Sequence, residues 1–235
     1  MRPDGPRVMA AIRATWPPGE LRRIGPFDVP MDRDGTRRSQ AARLRAGEAA
    51  TDGDLAAIEA ARPGGVVGTL VGDALEERLE RLEYAPEGAC LLMAGPAAPL
   101  ADPLPHMTGL AHWPPLALCD RLWDETGNGA DRRAPMARAP HPKTAVILRA
   151  EDRPAGLLFA ALDGDCAALH AVATLAHMRR KGVGMLGMRH AARWAAGRGA
   201  AWIVLPVETG NAAARGLYEK AGLAGVGAYR YWRAP

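Results

Sequence analysis

Apolar positions recur along the chain with two periods, and each period predicts its own kind of element. In the C-terminal half the apolar runs are continuous. Residues 144–149, 154–162 and 167–175 read as successive buried strands, turned by Glu151-Asp152-Arg153 and by Asp163-Gly164-Asp165. Residues 182–196 switch to helical spacing, with Val183, Leu186, His190 and Trp194 on one stripe that reads as core. Another buried run, 201–207, precedes a short helix capped by Asn211 and stopped by Gly222. The chain then closes on a strand holding Tyr229, Tyr231 and Trp232, whose alternate members face the core and leave a tyrosine on the other face for a ligand.

Upstream the pattern is weaker. Residues 7–15 predict a helix that Trp16-Pro17-Pro18-Gly19 must end, since two prolines cannot continue it. Residues 20–29 predict a strand around Leu21, Ile24 and Phe27, and the polar, aperiodic stretch 30–43 a loop. A helix is expected over 52–61 with Asp52 and Asp54 at its start, then a strand over 65–71, a helix over 73–82 on Leu75, Leu79 and Leu82, and a strand over 89–94. Pro96, Pro99, Pro103 and Pro105 mark a linker, 115–125 predicts a helix, and 128–142 a proline-rich loop. The expected division is therefore an N-terminal α/β region at 1–95, a linker at 96–105 and a C-terminal domain at 106–235.

The chemistry concentrates where strand 167–175 gives way to helix 182–196. Arg179-Arg180-Lys181-Gly182-Val183-Gly184-Met185 places two glycines and three cations at a helix start, whose first N–H groups have no partner within the helix. Backbone donors and formal charge together suit a pyrophosphate. By itself the spacing is common in a chain with 27 glycines and 30 basic residues. A second signal follows after the next strand, Asn211-x-x-Ala214-x-x-x-Tyr218-x-x-x-Gly222-Leu223.

Composition then removes several classes. The net charge of +4 is modest and the basic residues are interspersed with acids, so nucleic acid is not expected as a partner. No apolar run is long enough to span a bilayer and residues 1–6 lack a signal-peptide core, so a cytoplasmic protein that binds no membrane is expected. Three cysteines, Cys90, Cys119 and Cys166, are too few and too scattered for a disulfide framework or a zinc cluster, and the spacing of His106, His112 and His141 implies no metal.

Taken in order, Arg179-x-x-Gly182-x-Gly184 after a strand, an amphipathic helix, a strand and the Asn211-to-Leu223 segment resemble the GCN5-related N-acetyltransferase family over residues 144–233. The resemblance implies an α/β fold with a mixed central sheet flanked by helices, and acetyl-coenzyme A as cofactor. It places the pyrophosphate at Arg179, Arg180, Lys181, Gly182, Val183, Gly184 and Met185. The strand end at Ala173, Thr174 and Leu175 would line the cofactor, with a bulge near Thr174 and Leu175 exposing N–H groups to the thioester carbonyl. Asn211 and Ala214 would lie along the pantetheine arm, and Tyr218 would protonate the departing thiolate.

The chain departs from the family pattern at Ala176 and His177, where proline and an acid or glutamine are usual. His170 is the candidate general base, against its reading as a satisfied core histidine. Asp163, Asp165 and Glu208 are weaker candidates. The implied activity is acetyl transfer to an amine of a small molecule, amino acid or peptide, by a monomer or homodimer. The alternatives are a non-catalytic acyl-coenzyme A-binding module on the same fold and a dinucleotide binder, since Gly187 completes Gly182-x-Gly184-x-x-Gly187. The strand–helix–strand order of 65–94 echoes 201–232, with Leu79 in the place of Tyr218 and Tyr84 near Leu223. The two halves are accordingly read as a tandem with a degenerate first member, an unrelated small α/β unit being the competing reading.

Overall fold

The computed structural model describes residues 1–235. Eleven strands form one sheet: β1 (Leu21–Ile24), β2 (Phe27–Pro30), β3 (Ala41–Leu44), β4 (Val66–Leu70), β5 (Ala85–Pro96), β6 (Gly109–His112), β7 (Lys143–Ala150), β8 (Arg153–Asp163), β9 (Cys166–Thr174), β10 (Trp202–Glu208) and β11 (Ala224–Arg233). Their spatial order is β1-β2-β3-β4-β11-β5-β10-β9-β8-β7-β6, and only β3–β4 and β9–β10 run parallel. Eight helices flank the sheet: α1 (Gly5–Ala14), α2 (Arg37–Gln40), α3 (Asp52–Ala61), α4 (Leu75–Arg81), α5 (Ala117–Glu125), α6 (Ala130–Arg138), α7 (Val183–Ala196) and α8 (Ala212–Lys220). None is long and apolar enough to cross a membrane.

The strand order repeats itself from either end. β1-β2-β3-β4 is followed by β11 and then β5, while β7-β8-β9-β10 is followed by β5 and then β11. Each half thus lends its last strand to the other. The helices before those strands end alike: Tyr84 N donates to Leu79 O and Leu223 N to Tyr218 O, both at 3.0 Å, with Glu83 and Gly222 in the left-handed region at φ 61° and 82°. Residues 1–95 and 106–235 therefore share one sheet, and the stretch drawn as a linker begins inside it. Gly95 and Pro96 belong to β5, pairing with Ile203 and Trp202, and Ala97 is fully buried.

Side-chain alternation in the central strands builds a core on both faces. Ala167, Ile203, Leu205 and Met93 join the layer under α7, while Cys166, Ala168, Val204 and Leu92 pack with Val8, Ala11 and Ile12 of α1 on the other side. A third cluster gathers Leu55 and Ile58 of α3, Leu75 and Leu79 of α4, Phe27 and Trp232. Burial of these apolar surfaces is the main stabilising term.

Four expectations are corrected. The strand over 20–29 is a hairpin, broken by Gly25 at φ 52°. The loop over 30–43 contains α2 and β3, whose Ala41 and Ala42 are too small to signal a strand but pair with Val66 and Val67. β6 lies inside the stretch before the α5 helix. The loop over 128–142 contains α6, despite Pro135 in its interior. Its C-terminus is closed from outside the segment: the buried Lys143 ammonium donates to Met136 O, Ala137 O and Ala139 O at 3.1, 2.6 and 2.6 Å.

Because β5 supplies the whole outer ladder of β10, the full chain is expected to unfold in one cooperative thermal transition, and residues 106–235 expressed alone to be insoluble. Two resolved transitions, or a soluble and structured 106–235 fragment, would show halves that fold independently.

Candidate functional site

β9 and β10 pair for only three residues, Cys166–Ala168 with Trp202–Val204, and then part. Past that point β9 carries a bulge, in which Ala171 and Val172 stand opposite Leu158 alone and Ala171 takes φ 47°. The bulge thus lies earlier than the expected position near Thr174 and Leu175, and the Leu175 N–H is committed to Ala155 O at 3.0 Å. β10 stays straight because β5 holds it as far as Glu208. Pro206, which brings no N–H to a ladder, lies in the stretch that β9 has left.

On one side of the parted strands runs a groove of about 640 Å³. Its walls include Ala173 and Thr174 of β9, Arg179 and Arg180, the start of α7 from Gly182 to Met185, and Ala213, Ala214 and Leu217 of α8. Gly182 sits at the helix N-cap in the left-handed region, φ 80°, where a side chain is strained. Neither a side-chain cap nor an acid occupies the first turn of α7, so its backbone donors and positive dipole end face the groove. A Cβ on Gly184 would stand 2.6 Å from Leu217 Cδ2, so that glycine lets α7 and α8 meet. Gly187 presses α7 onto Leu148 and Leu158 instead, and a largely antiparallel sheet removes the dinucleotide reading.

Two members of the predicted set are placed elsewhere. Lys181 turns to Glu151 at 2.9 Å, and buried Leu175 points into the core. Asn211 borders the groove, with its Oδ1 accepting from Ala214 N at 3.0 Å as the α8 cap.

A second cavity, about 420 Å³, opens on the other side and meets the groove at Asn128, Val172, Asn211, Ala214 and Tyr218. Tyr218 is 7% exposed, and its hydroxyl makes no hydrogen bond within the protein. Burial pushes its phenol up to about 12, so it keeps its proton at neutral pH. Tyr229 and Tyr231, two apart on β11, both line this cavity, while Trp232, next after Tyr231, is buried in the cluster on the opposite face and donates to Thr69 Oγ1 at 2.9 Å.

His170 also lines the cavity, but both its nitrogens are engaged. A guanidinium can only donate, so Arg38 fixes Nδ1 as acceptor at 2.9 Å and leaves Nε2–H to donate to Thr15 Oγ1 at 2.9 Å. Trp16 stacks on the ring at 4.6 Å. Burial first, and then the charges of Arg38 and Arg132, hold its pKa well below 6.5. With its one lone pair taken, His170 is a neutral, satisfied core residue rather than a free base. Arg38, Arg132 and Asn128, which the sequence pattern assigned to featureless loops, complete the cavity wall, and no local signal marked them.

Adjacent parallel strands that part beside an uncapped helix start thus define the site, a groove and a cavity that meet between β9 and β10. Residues 112–223 match the acetyltransferase (GNAT) family model. That segment, just under half of the chain, is what carries the match to the GNAT acetyltransferase family. A GCN5-related N-acetyltransferase from Kribbella flavida is 16% identical and has the same fold, with a TM-score of 0.74 over 97% of this chain and 95% of that one. A putative GNAT-family acetyltransferase from Novosphingobium aromaticivorans is 18% identical, with a TM-score of 0.55 over 89% and 87% of the two chains. A conserved protein of unknown function from Staphylococcus epidermidis gives 10% identity and a TM-score of 0.65 over 92% and 94%. No curated protein matches the chain.

The His170 environment makes a prediction about stability. An unfolded chain binds a proton at this site near pH 6.5 and the folded chain does so only well below, so below 6.5 the unfolded state holds more protons and stability falls with pH. The slope is expected to approach about 1.4 kcal/mol per pH unit, and His170→Gln to flatten it. Urea unfolding of both proteins at several pH values measures this, and equal slopes would refute it.

Proposed function

We propose that this chain is an acetyl-coenzyme A-dependent N-acetyltransferase acting by direct attack of an amine, with Tyr218 as general acid. The observation that carries the reading is the meeting of two cavities at Tyr218, one of them faced by the uncapped start of α7. The N–H groups at Val183, Gly184 and Met185, with Arg179 and Arg180, fit a pyrophosphate, and Ala213, Ala214 and Leu217 offer an apolar wall to the pantetheine arm. Acetyl-coenzyme A supplies the activated thioester.

Proton management falls to the chain. At about 12 the Tyr218 phenol lies well above a thiol near 8.5, so giving its proton outright to a thiolate is uphill. Its role is to donate a hydrogen bond to the departing sulfur and pass on a proton that the amine replaces. Glu208, the one carboxylate on the acceptor wall, receives the amine's other proton, in place of His170. A non-catalytic binding module would not need a proton donor at the junction of the cavities, where Tyr218 lines both, which favours the enzyme reading.

The division at 96–105 is then one of role. Residues 106–235 hold the cofactor, and the N-terminal half, read as a degenerate repeat, contributes β5 and the Arg37–Arg38 wall of the acceptor cavity. Three unpaired cysteines, all buried, agree with a cytoplasmic setting.

Calorimetry is expected to show micromolar binding of acetyl-coenzyme A, abolished in Gly182→Trp. Arg179→Ala and Arg180→Ala are each expected to weaken binding by roughly 10- to 100-fold while leaving affinity for S-acetylpantetheine, which lacks the pyrophosphate, little changed. Folded wild-type protein that binds no acetyl-coenzyme A would overturn the reading. Tyr218→Phe is expected to lower kcat by about 10²- to 10⁴-fold in a thiol-release assay with cofactor affinity retained, and an unchanged kcat would remove the general acid.

A further inference from the structure

The acceptor cavity carries more positive charge than its acids balance. Arg37, Arg38 and Arg132 line it against Glu208 alone. Arg37 is partly satisfied, pairing with Glu87 at 3.4 Å and lying over the Tyr231 ring at 5.1 Å. Neither Arg38 nor Arg132 forms an ion pair. The Arg38 guanidinium lies over Trp16 at 5.6 Å, spends one N–H on His170, and keeps its Nε shielded from solvent with no partner. Behind it Arg43, over Tyr229 at 5.8 Å, has a buried amino group equally without a partner.

An uncompensated buried charge is costly, and a fold retains a cluster of them where a ligand supplies the counter-charge. The neighbouring groups register the same field. Arg43 is lowered to about 10, chiefly by burial, with Arg13 and Arg38 adding to the effect. Arg132 is lowered by burial and next by Arg38. A volume of about 420 Å³ suits a small molecule.

We propose that the acceptor is a small amino carboxylate, whose carboxylate binds Arg38 and Arg132 while its amino group lies toward Glu208 and Tyr218. The inference rests on the acetyl-transfer reading and names its substrate class. An ammonium loses one proton to Glu208, its nitrogen forms the amide bond as the carbon–sulfur bond breaks, and the sulfur leaves as the thiol; one proton is released to solvent overall. The planar fork of Arg38 matches a carboxylate, and the ring of His170, fixed on the other side of that guanidinium, positions it. A peptide N-terminus has no carboxylate beside its amine to pair with Arg38 and Arg132.

The test uses the full-length protein and matched trios of compounds: an amino acid, its carboxamide and the corresponding decarboxylated amine. Turnover is followed by thiol release, and binding in the presence of coenzyme A by calorimetry. The free carboxylate is expected to be preferred by roughly 10- to 100-fold in kcat/KM. Arg132→Gln is expected to raise KM for the amino acid by a similar factor and to erase the preference over the carboxamide, with acetyl-coenzyme A affinity retained. Arg38→Lys should keep the charge but weaken carboxylate binding, and Arg132→Gln serves should the Arg38 variant misfold. Equal use of the carboxamide or amine, preference for a peptide N-terminus, an Arg132→Gln selectivity equal to wild type, or no binding of any amino acid to the coenzyme A-loaded protein would each overturn the proposal. Loss of acetyl-coenzyme A binding in the wild type would instead overturn the reading beneath it.

Discussion

Everything at the site depends on two parallel strands that stop pairing. β9 and β10 hold register for three pairs and then diverge, which leaves backbone groups in the middle of a sheet without ladder partners. Unpaired buried amides and carbonyls are costly, so a gap of this kind persists only where something else holds each strand. β10 is held by β5 for seven consecutive pairs, as far as Glu208 opposite Cys90. β9 is turned away by its bulge, with Ala171 in a left-handed conformation that a non-glycine residue adopts at a cost. Both cavities, and the position of Tyr218 between them, follow from that wedge.

Its rigidity comes from the N-terminal half. β5 belongs by sequence to the first half and by position to the second, so the outer edge of β10 is built from residues far upstream. α1 covers the opposite face of the central strands, and the residues just beyond it, Thr15 and Trp16, hold His170 by a hydrogen bond and a stacked ring. Arg38, on the short α2 helix, completes the arrangement from above. A histidine in a strand that lines a cavity invites a catalytic role. Here its two nitrogens are spent on fixing a guanidinium and a hydroxyl, so its contribution is to position Arg38.

What the sequence revealed follows how local each signal was. Strands β7 to β10, helices α3, α7 and α8 and the glycine turn before α7 were legible because continuous apolar runs, caps and glycines within a few residues specify them. Helix α6 was hidden because its end is closed by Lys143, a residue of the following strand. β3 was hidden because alanines carry no strand signal without a partner to pair with. The residues lining the groove at the start of α7 were therefore largely readable, apart from Leu175, which is buried in the core, and Lys181, which an acid thirty residues upstream draws away. The second cavity was read only in part: Tyr218, His170, Glu208 and a tyrosine of the last strand were singled out, but Arg38 and Arg132 come from separate segments that only the shared sheet brings together.

The two halves also show why a repeated topology need not repeat a site. α3 follows β3 as α7 follows β9, each crossing over to a parallel strand. At the start of α3, Thr51 and Asp54 cap each other's backbone N–H groups, and Asp52 adds a second negative charge to the first turn. That helix start has already spent the Asp54 N–H on the Thr51 hydroxyl and the Thr51 N–H on the Asp54 carboxylate, and an incoming phosphate would meet two acids. At the start of α7 the donors are unspent and two arginines flank the turn. The same backbone thus stabilises itself in one half and remains available to an anion in the other. The difference rests on Thr51, Asp52 and Asp54 against Gly182, Val183 and Gly184, a contrast of capping chemistry rather than of fold.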